Sequence, residues 1–135
     1  MTCVFLDSKK IMWVHLGDCR IYQFRKRKIR ILTKEHHDEE GRLLKAIGVG
    51  QWQLPDVGQR NVKKGDKFLV CTDGLYKKLH KDELRRWAMR GIADDGQANR
   101  MLRQLLEKKR NLSEKDNISA LYFGSVTKEK NREKK

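Results

Sequence analysis

Three aspartates occupy positions where a carboxylate can do chemistry. Asp18 follows an apolar run in HLGDCRIY, Asp73 ends the most apolar run of the chain in FLVCTDGLYKKL, and Asp116 precedes the last apolar run in KDNIS. Carboxylates held at strand ends repel one another unless a cation lies between them. Hard cations such as Mg²⁺ or Mn²⁺ take oxygen ligands of this kind. Each aspartate alone also reads as an Asx-turn or a cap, and Asp73-Gly74 is a common turn pair. Spacing alone does not bring the three together.

Two other groupings invite chemistry. Cys19 and Arg25 stand at the C-x₅-R spacing of cysteine nucleophiles that attack phosphoryl groups. That chemistry needs a Gly-rich loop whose N–H groups wrap the anion at a helix start, whereas RIYQF alternates like a strand. His36 and His37 adjoin Asp38, Glu39 and Glu40. Adjacent side chains point to different faces, so a solvated polar turn is expected there rather than a metal cluster.

The elements that must position the aspartates follow from periodicity. Thr2 to Leu6, Met12 to Leu16, Arg20 to Phe24 and Lys28 to Leu32 are short β-rich runs separated by turn-like DSKK, GD and RKRK, which predicts a meander of hairpins. HHDEEGRLLKAIG, with acids early, Lys45 late and Gly48 at its end, predicts a short helix over 36–48. Residues 49–61 read as loop plus one strand, and Lys67 to Thr72 as a buried strand. Two amphipathic helices follow, one with Leu84, Trp87 and Ala88 on a face, the next with Ala98, Met101, Leu102, Leu105 and Leu106. Asp95-Gly96 reads as the cap of the second, and DNISALYFG as a last strand. Strands, then helices, then a strand indicate an α+β fold with helices on an antiparallel sheet.

The chain of 135 residues fits one domain with one core. Its formal charge of +14 admits nucleic acid, an anionic membrane surface, or acidic or phosphorylated proteins as partners, and also a plain solvated surface. The tail 127–135, TKEKNREKK, is basic and expected to be disordered. No apolar run is long enough to span a bilayer, and nothing near Met1 resembles a signal peptide. Cys3, Cys19 and Cys71 are odd in number and lack metal-ligand spacing, which suits reduced thiols and a cytoplasmic location. A nucleic-acid module would use the basic runs with Trp52 or Tyr76 for stacking, but no nucleic-acid motif supports it.

The segments VHLGDCRIYQFR, ILTKEHH, KAIGVG, GDKFLVCTDGLYKKL and DNISALYFG occur in the order of landmarks in the metal-dependent protein serine/threonine phosphatases of type 2C. The chain resembles that family from residue 2 to about 124, with Cys19 for Ser, Thr72 for Ser and Glu35 for Asp. The resemblance implies an antiparallel β-sandwich with flanking helices over residues 1–126. It implies a binuclear Mg²⁺ or Mn²⁺ centre with Asp73 and Asp116 among its ligands, and a third metal held by Asp18 with Asp73. Gly17, Gly74 and Asn117 support these ligands. Two such metals polarise a phosphoryl group and acidify a water that attacks it, so the implied substrate is a phosphorylated protein.

The match begins at TCVFL, which resembles the strand after the family's first strands, first helices and D-G-x-G-G segment. Those elements supply further carboxylate ligands and a phosphate-binding arginine. The expectation is therefore a C-terminal part of the domain, completed by a partner chain, inactive alone, or repurposed as a non-catalytic phosphoprotein-binding remnant.

Overall fold

The computed structural model describes residues 1–48, 50–90, 94–110 and 116–124. The expected tail 127–135 lies outside them. Alternating sequence yields β1 (Thr2–Leu6), β2 (Lys10–His15), β3 (Arg20–Arg25) and β4 (Lys28–Ile31). These are followed by β5 (Asp56–Asn61), β6 (Lys67–Cys71), three helices and β7 (Ala120–Gly124). The helices are α1 (Asp73–Tyr76), α2 (Lys81–Ala88) and α3 (Asp95–Arg110).

All pairings among these strands are antiparallel. They form two sheets, β1-β2-β5 and β4-β3-β6-β7. The single meander expected of the first four strands is thus corrected. Two hairpins form, but the chain leaves one sheet for the other between β2 and β3. Gly17 makes that crossing, with φ of +122°, a backbone state other residues adopt only under strain.

Strand parity assigns the faces. Ile11, Ile21 and Phe68 are fully buried on the faces through which the sheets meet. The opposite face of the four-stranded sheet carries Tyr22, Phe24, Leu69, Cys71 and Tyr122, which pack with Leu84, Trp87, Met101 and Leu105 of α2 and α3. Trp87 is the hinge of this core. Its ring lies 4.4 Å from that of Tyr122 and meets Phe24 edge-on, and its N–H donates to the Met101 carbonyl at 3.2 Å. Glu83 of α2 binds Lys108 and Lys109 of α3, and Lys67 closes the end of α2 through the carbonyls of Ala88 and Arg90.

Two local expectations fail for physical reasons. Residues 36–48 form no helix. Gly41 takes φ of +79°, and the Asp38 carboxylate accepts the amides of Glu40 and Arg42. His37 and Leu43 make an isolated bridge across the resulting turn. A side chain that bonds nearby backbone outcompetes a helix too short to bury an apolar face. The cap of α3 is Asp94, whose carboxylate accepts the Gln97 amide at 2.7 Å, and not Asp95.

The outer face of the three-stranded sheet is apolar and open. Phe5, Met12 and Val57 stand there, Val57 at 74% exposure. Among the described residues, strand β1, TCVFL, has a partner on one side only.

Candidate metal centre

The site grows from the ends of β6 and β2. Strand β6 delivers Asp73 as the first residue of α1, with its side chain 22% exposed. Gly74 follows because no side chain fits there. A Cβ would lie 2.5 Å from the Asn117 carbonyl oxygen and 3.5 Å from Cβ of Asp116. This close approach lays the Asp116–Asn117 segment over the start of α1. Thr72 stitches the two together, its hydroxyl accepting the Ser119 amide at 3.1 Å and its own amide donating to the Ser119 carbonyl.

Asp18 arrives on the crossing between the sheets. The Tyr76 hydroxyl donates to its carbonyl at 2.8 Å. Arg20 lies 3.9 Å from the Tyr76 ring centre and pairs with Glu35. Burial foremost, then Glu35 and Asp18, pushes the Tyr76 hydroxyl well above its ordinary range, so it remains a donor. Gly17 is held from both sides by one residue. Its N–H donates to His36 Nδ1 at 3.0 Å, and its carbonyl accepts the His36 amide at 2.8 Å. His36 Nε2 in turn donates to Asp56 at 2.7 Å. His36 is buried, which corrects the expected solvated turn, while His37 is exposed.

The ammonium of Lys77 pairs with Asp73 and lies in the field of Asp18 and Asp116. It donates to Asp73 at 3.1 Å. That bond foremost, with the added fields of Asp73, Asp18 and Asp116, raises the Lys77 pKa. The ends of β2, β6 and β7 thus carry Asp18, Asp73 and Asp116 to one end of the sandwich, and Lys77 pairs with Asp73 there. The donor set is all carboxylate, which fits a hard divalent ion. Among the described residues no three His, Cys, Asp or Glu stand close enough to hold a metal ion. Beside Asp116 opens a cavity of about 400 Å³ lined by Lys78, Arg103, Glu107, Arg110 and Ile118.

Lys77 and Arg20 did not emerge from the sequence as residues of this site, and His36 and Tyr76 emerged only in other roles. Lys77 had a usable signal, since Asp73 and Lys77 are four apart on a helix. Tyr76 and Asp18 are 58 residues apart and gave none. Tyr76 is also buried at 6% exposure, which removes it as a stacking platform. Cys19 and Arg25 flank opposite ends of β3, and Arg25 is engaged by Asp66, so they share no site.

The protein phosphatase 2C family profile matches residues 1–110, and the chain belongs to that family. No curated protein matches it. Among solved structures, the serine/threonine phosphatase PstP/Ppp of Mycobacterium tuberculosis aligns with TM-score 0.68 at 19% identity, over 90% of this chain and 57% of that one. Stp1 from Staphylococcus aureus aligns with TM-score 0.73 at 18% identity, over 93% and 55%. A PstP catalytic domain solved in complex with two manganese ions aligns with TM-score 0.68 at 21% identity, over 90% and 56%. These likenesses show the fold, and the chain spans a little over half the length of each of these three.

Proposed function

We propose that this chain contributes to metal-dependent hydrolysis of phosphoserine and phosphothreonine in proteins. The observation that carries the reading is the match to the protein phosphatase 2C family together with the close packing of the Asp116–Asn117 segment on Gly74, next to Asp73. Asp73 and Asp116 would hold Mg²⁺ or Mn²⁺, and Asp18 with Asp73 a further ion. When bound, such ions supply positive charge to a phosphoryl group and acidify water. The chain's own residues set the ligands in place. Gly74 lets Asp116 approach α1, Thr72 fixes that segment, and Tyr76 with Arg20 holds the Asp18 loop. Lys77 is more than half exposed on a flexible stem, so it can leave Asp73 as a metal arrives. The cavity beside Asp116, with Lys78, Arg103 and Arg110 on its walls, suits an anionic substrate.

A complete site requires the rest of the domain, supplied by further polypeptide that covers the open apolar face and extends the sheet at β1. Phe5, Met12 and Val57 support this, as does Leu121, exposed on the β7 face that parity turns toward the other sheet. The free cysteines Cys3, Cys19 and Cys71 support a cytoplasmic setting. Among the described residues no helix is long and apolar enough to cross a membrane.

A second reading, a phosphoprotein-binding remnant without catalysis, is favoured by one feature. Lys77 occupies Asp73, and no three metal donors cluster among the described residues. Phosphate release from a phosphothreonine peptide in Mn²⁺ separates the two. It is measured for the chain alone and with the complementary part of a neighbour's domain added. Metal-dependent release that disappears in Asp73→Asn supports hydrolysis, whereas peptide binding without release under both conditions selects the remnant.

A further inference from the structure

The charge of the chain gathers at the end of the sandwich opposite the aspartates. Strand β3 runs away from Asp18 and ends at Arg25, and β6 begins at Lys67 and runs toward Asp73. The turns at this far end are tied together. The Val62 amide donates to the Lys9 carbonyl at 2.7 Å, and Arg25 donates to the Asn61 carbonyl at 2.9 Å. Residues 7–10, 25–30 and 60–66 carry ten Lys and Arg against two carboxylates, Asp7 and Asp66.

Both carboxylates are already engaged. Asp7 accepts the amides of Lys9 and Lys10. Asp66, at 1% exposure, accepts two N–H groups of Arg25 at 2.8 and 2.6 Å, the Gln23 amide group, and the Lys63 backbone amide. Arg60 enters from the other sheet, on the strand face it shares with buried Ile11. Its Nε is buried and has no hydrogen-bond partner. Burial, then Arg30 and Arg25, works against its charged form, and only Asp66 favours it. Among the described residues no carboxylate forms an ion pair with Arg30 or Arg60.

We propose that Arg60, Arg30 and Arg25 form an anion site between the two sheets that takes a phosphoryl group. The guanidinium forks suit the oxygens of a phosphate better than a single point charge does. A dianion would balance the two arginines without carboxylate partners and give the buried Nε–H an acceptor. A carboxylate brings one charge where two are uncompensated. The site stands apart from the aspartates and does not depend on the phosphatase reading.

The test follows the Arg Nε–H resonances of the full chain by NMR during titration with inorganic phosphate at constant ionic strength. A second titration uses phosphoserine, to separate free phosphate from a monoester. The expected result is a saturable shift of the Arg60 Nε–H signal. In Arg30→Gln, an exposed position that leaves Arg60 and the fold in place, phosphate affinity should fall at least fivefold. Phosphoserine binding like phosphate supports a site for a modified protein, and phosphate binding alone a site for the free anion. A linear response no larger than that to chloride overturns the proposal, as does wild-type affinity in Arg30→Gln. Duplex DNA binding without a phosphate response also overturns it, since it would mark a diffuse polyanion surface.

Discussion

Replacing Gly74 by alanine tests how the site is assembled. The new Cβ would stand 2.5 Å from the Asn117 carbonyl oxygen and 3.3 Å from its carbon. Ordinary contact begins near 3.4 Å, so that carbonyl must retreat by about 0.9 Å or α1 must shift by as much. Neither side yields easily. The obstacle is backbone, and Thr72 ties the neighbouring Ser119 to β6 through two hydrogen bonds. Overpacking of this kind costs about 1–3 kcal/mol. With a urea m-value of about 1.5 kcal/mol/M for a domain this size, the midpoint should drop by roughly 0.7–2 M. Asp116 is carried with Asn117, so Mn²⁺ affinity should fall alongside stability. Urea melts read by tryptophan fluorescence and Mn²⁺ titration calorimetry give both quantities. Gly74→Ala with an unchanged midpoint and unchanged Mn²⁺ affinity would show that the 116–117 segment does not pack on α1.

Other expectations follow from the core. His15 is fully buried, and burial foremost, then His36, holds its pKa below the ordinary 6.5. Below about pH 6.5 the unfolded chain takes a proton that folded His15 refuses, so stability should fall as pH drops until folded His15 itself titrates. Urea midpoints between pH 7.5 and 5.5 should show this slope, and His15→Gln should reduce it. An identical slope in the variant would assign the effect elsewhere. Trp87→Ala should destabilise by about 3–5 kcal/mol in chemical denaturation, and a loss under about 1 kcal/mol would contradict its central place between the sheet and α2. Burial pushes the Cys71 thiol up to about 12, while Cys3 is exposed. A thiolate-selective disulfide reagent should therefore label Cys3 in the native state and Cys71 only on unfolding. Rapid native labelling of Cys71 would mean that β6 does not face the helices.

Legibility in the sequence followed the range of the interaction. The strands, α2 and α3 announced themselves through local periodicity, and their apolar stripes are the stripes that pack: Leu84, Trp87, Met101 and Leu105. Residues 36–48 misled because acids early and a lysine late mimic helix-end chemistry, while Asp38 was free to bond its own backbone. Splitting β2 from β3 depended on Gly17 and on His36, held together by contacts 19 residues apart that no local pattern encodes. The three aspartates stood out by position at strand ends, but the Lys77 that pairs with Asp73 emerged only with the fold. Arg60 was silent in the sequence, one cation among 32 Lys and Arg, until strand parity put it between the sheets.

The proposed function makes Asp18, Asp73 and Asp116 part of a divalent-cation site that further polypeptide completes. Calorimetric titration with Mn²⁺ of the full chain joined by the complementary part of a neighbour's domain is the decisive measurement, repeated on Asp73→Ala and Asp116→Ala. Saturable binding is expected for the wild type and at least tenfold weaker binding in each variant, with a weaker effect in Asp18→Ala. No binding by the wild type up to millimolar Mn²⁺, or equal binding by all four proteins, would contradict the proposed site.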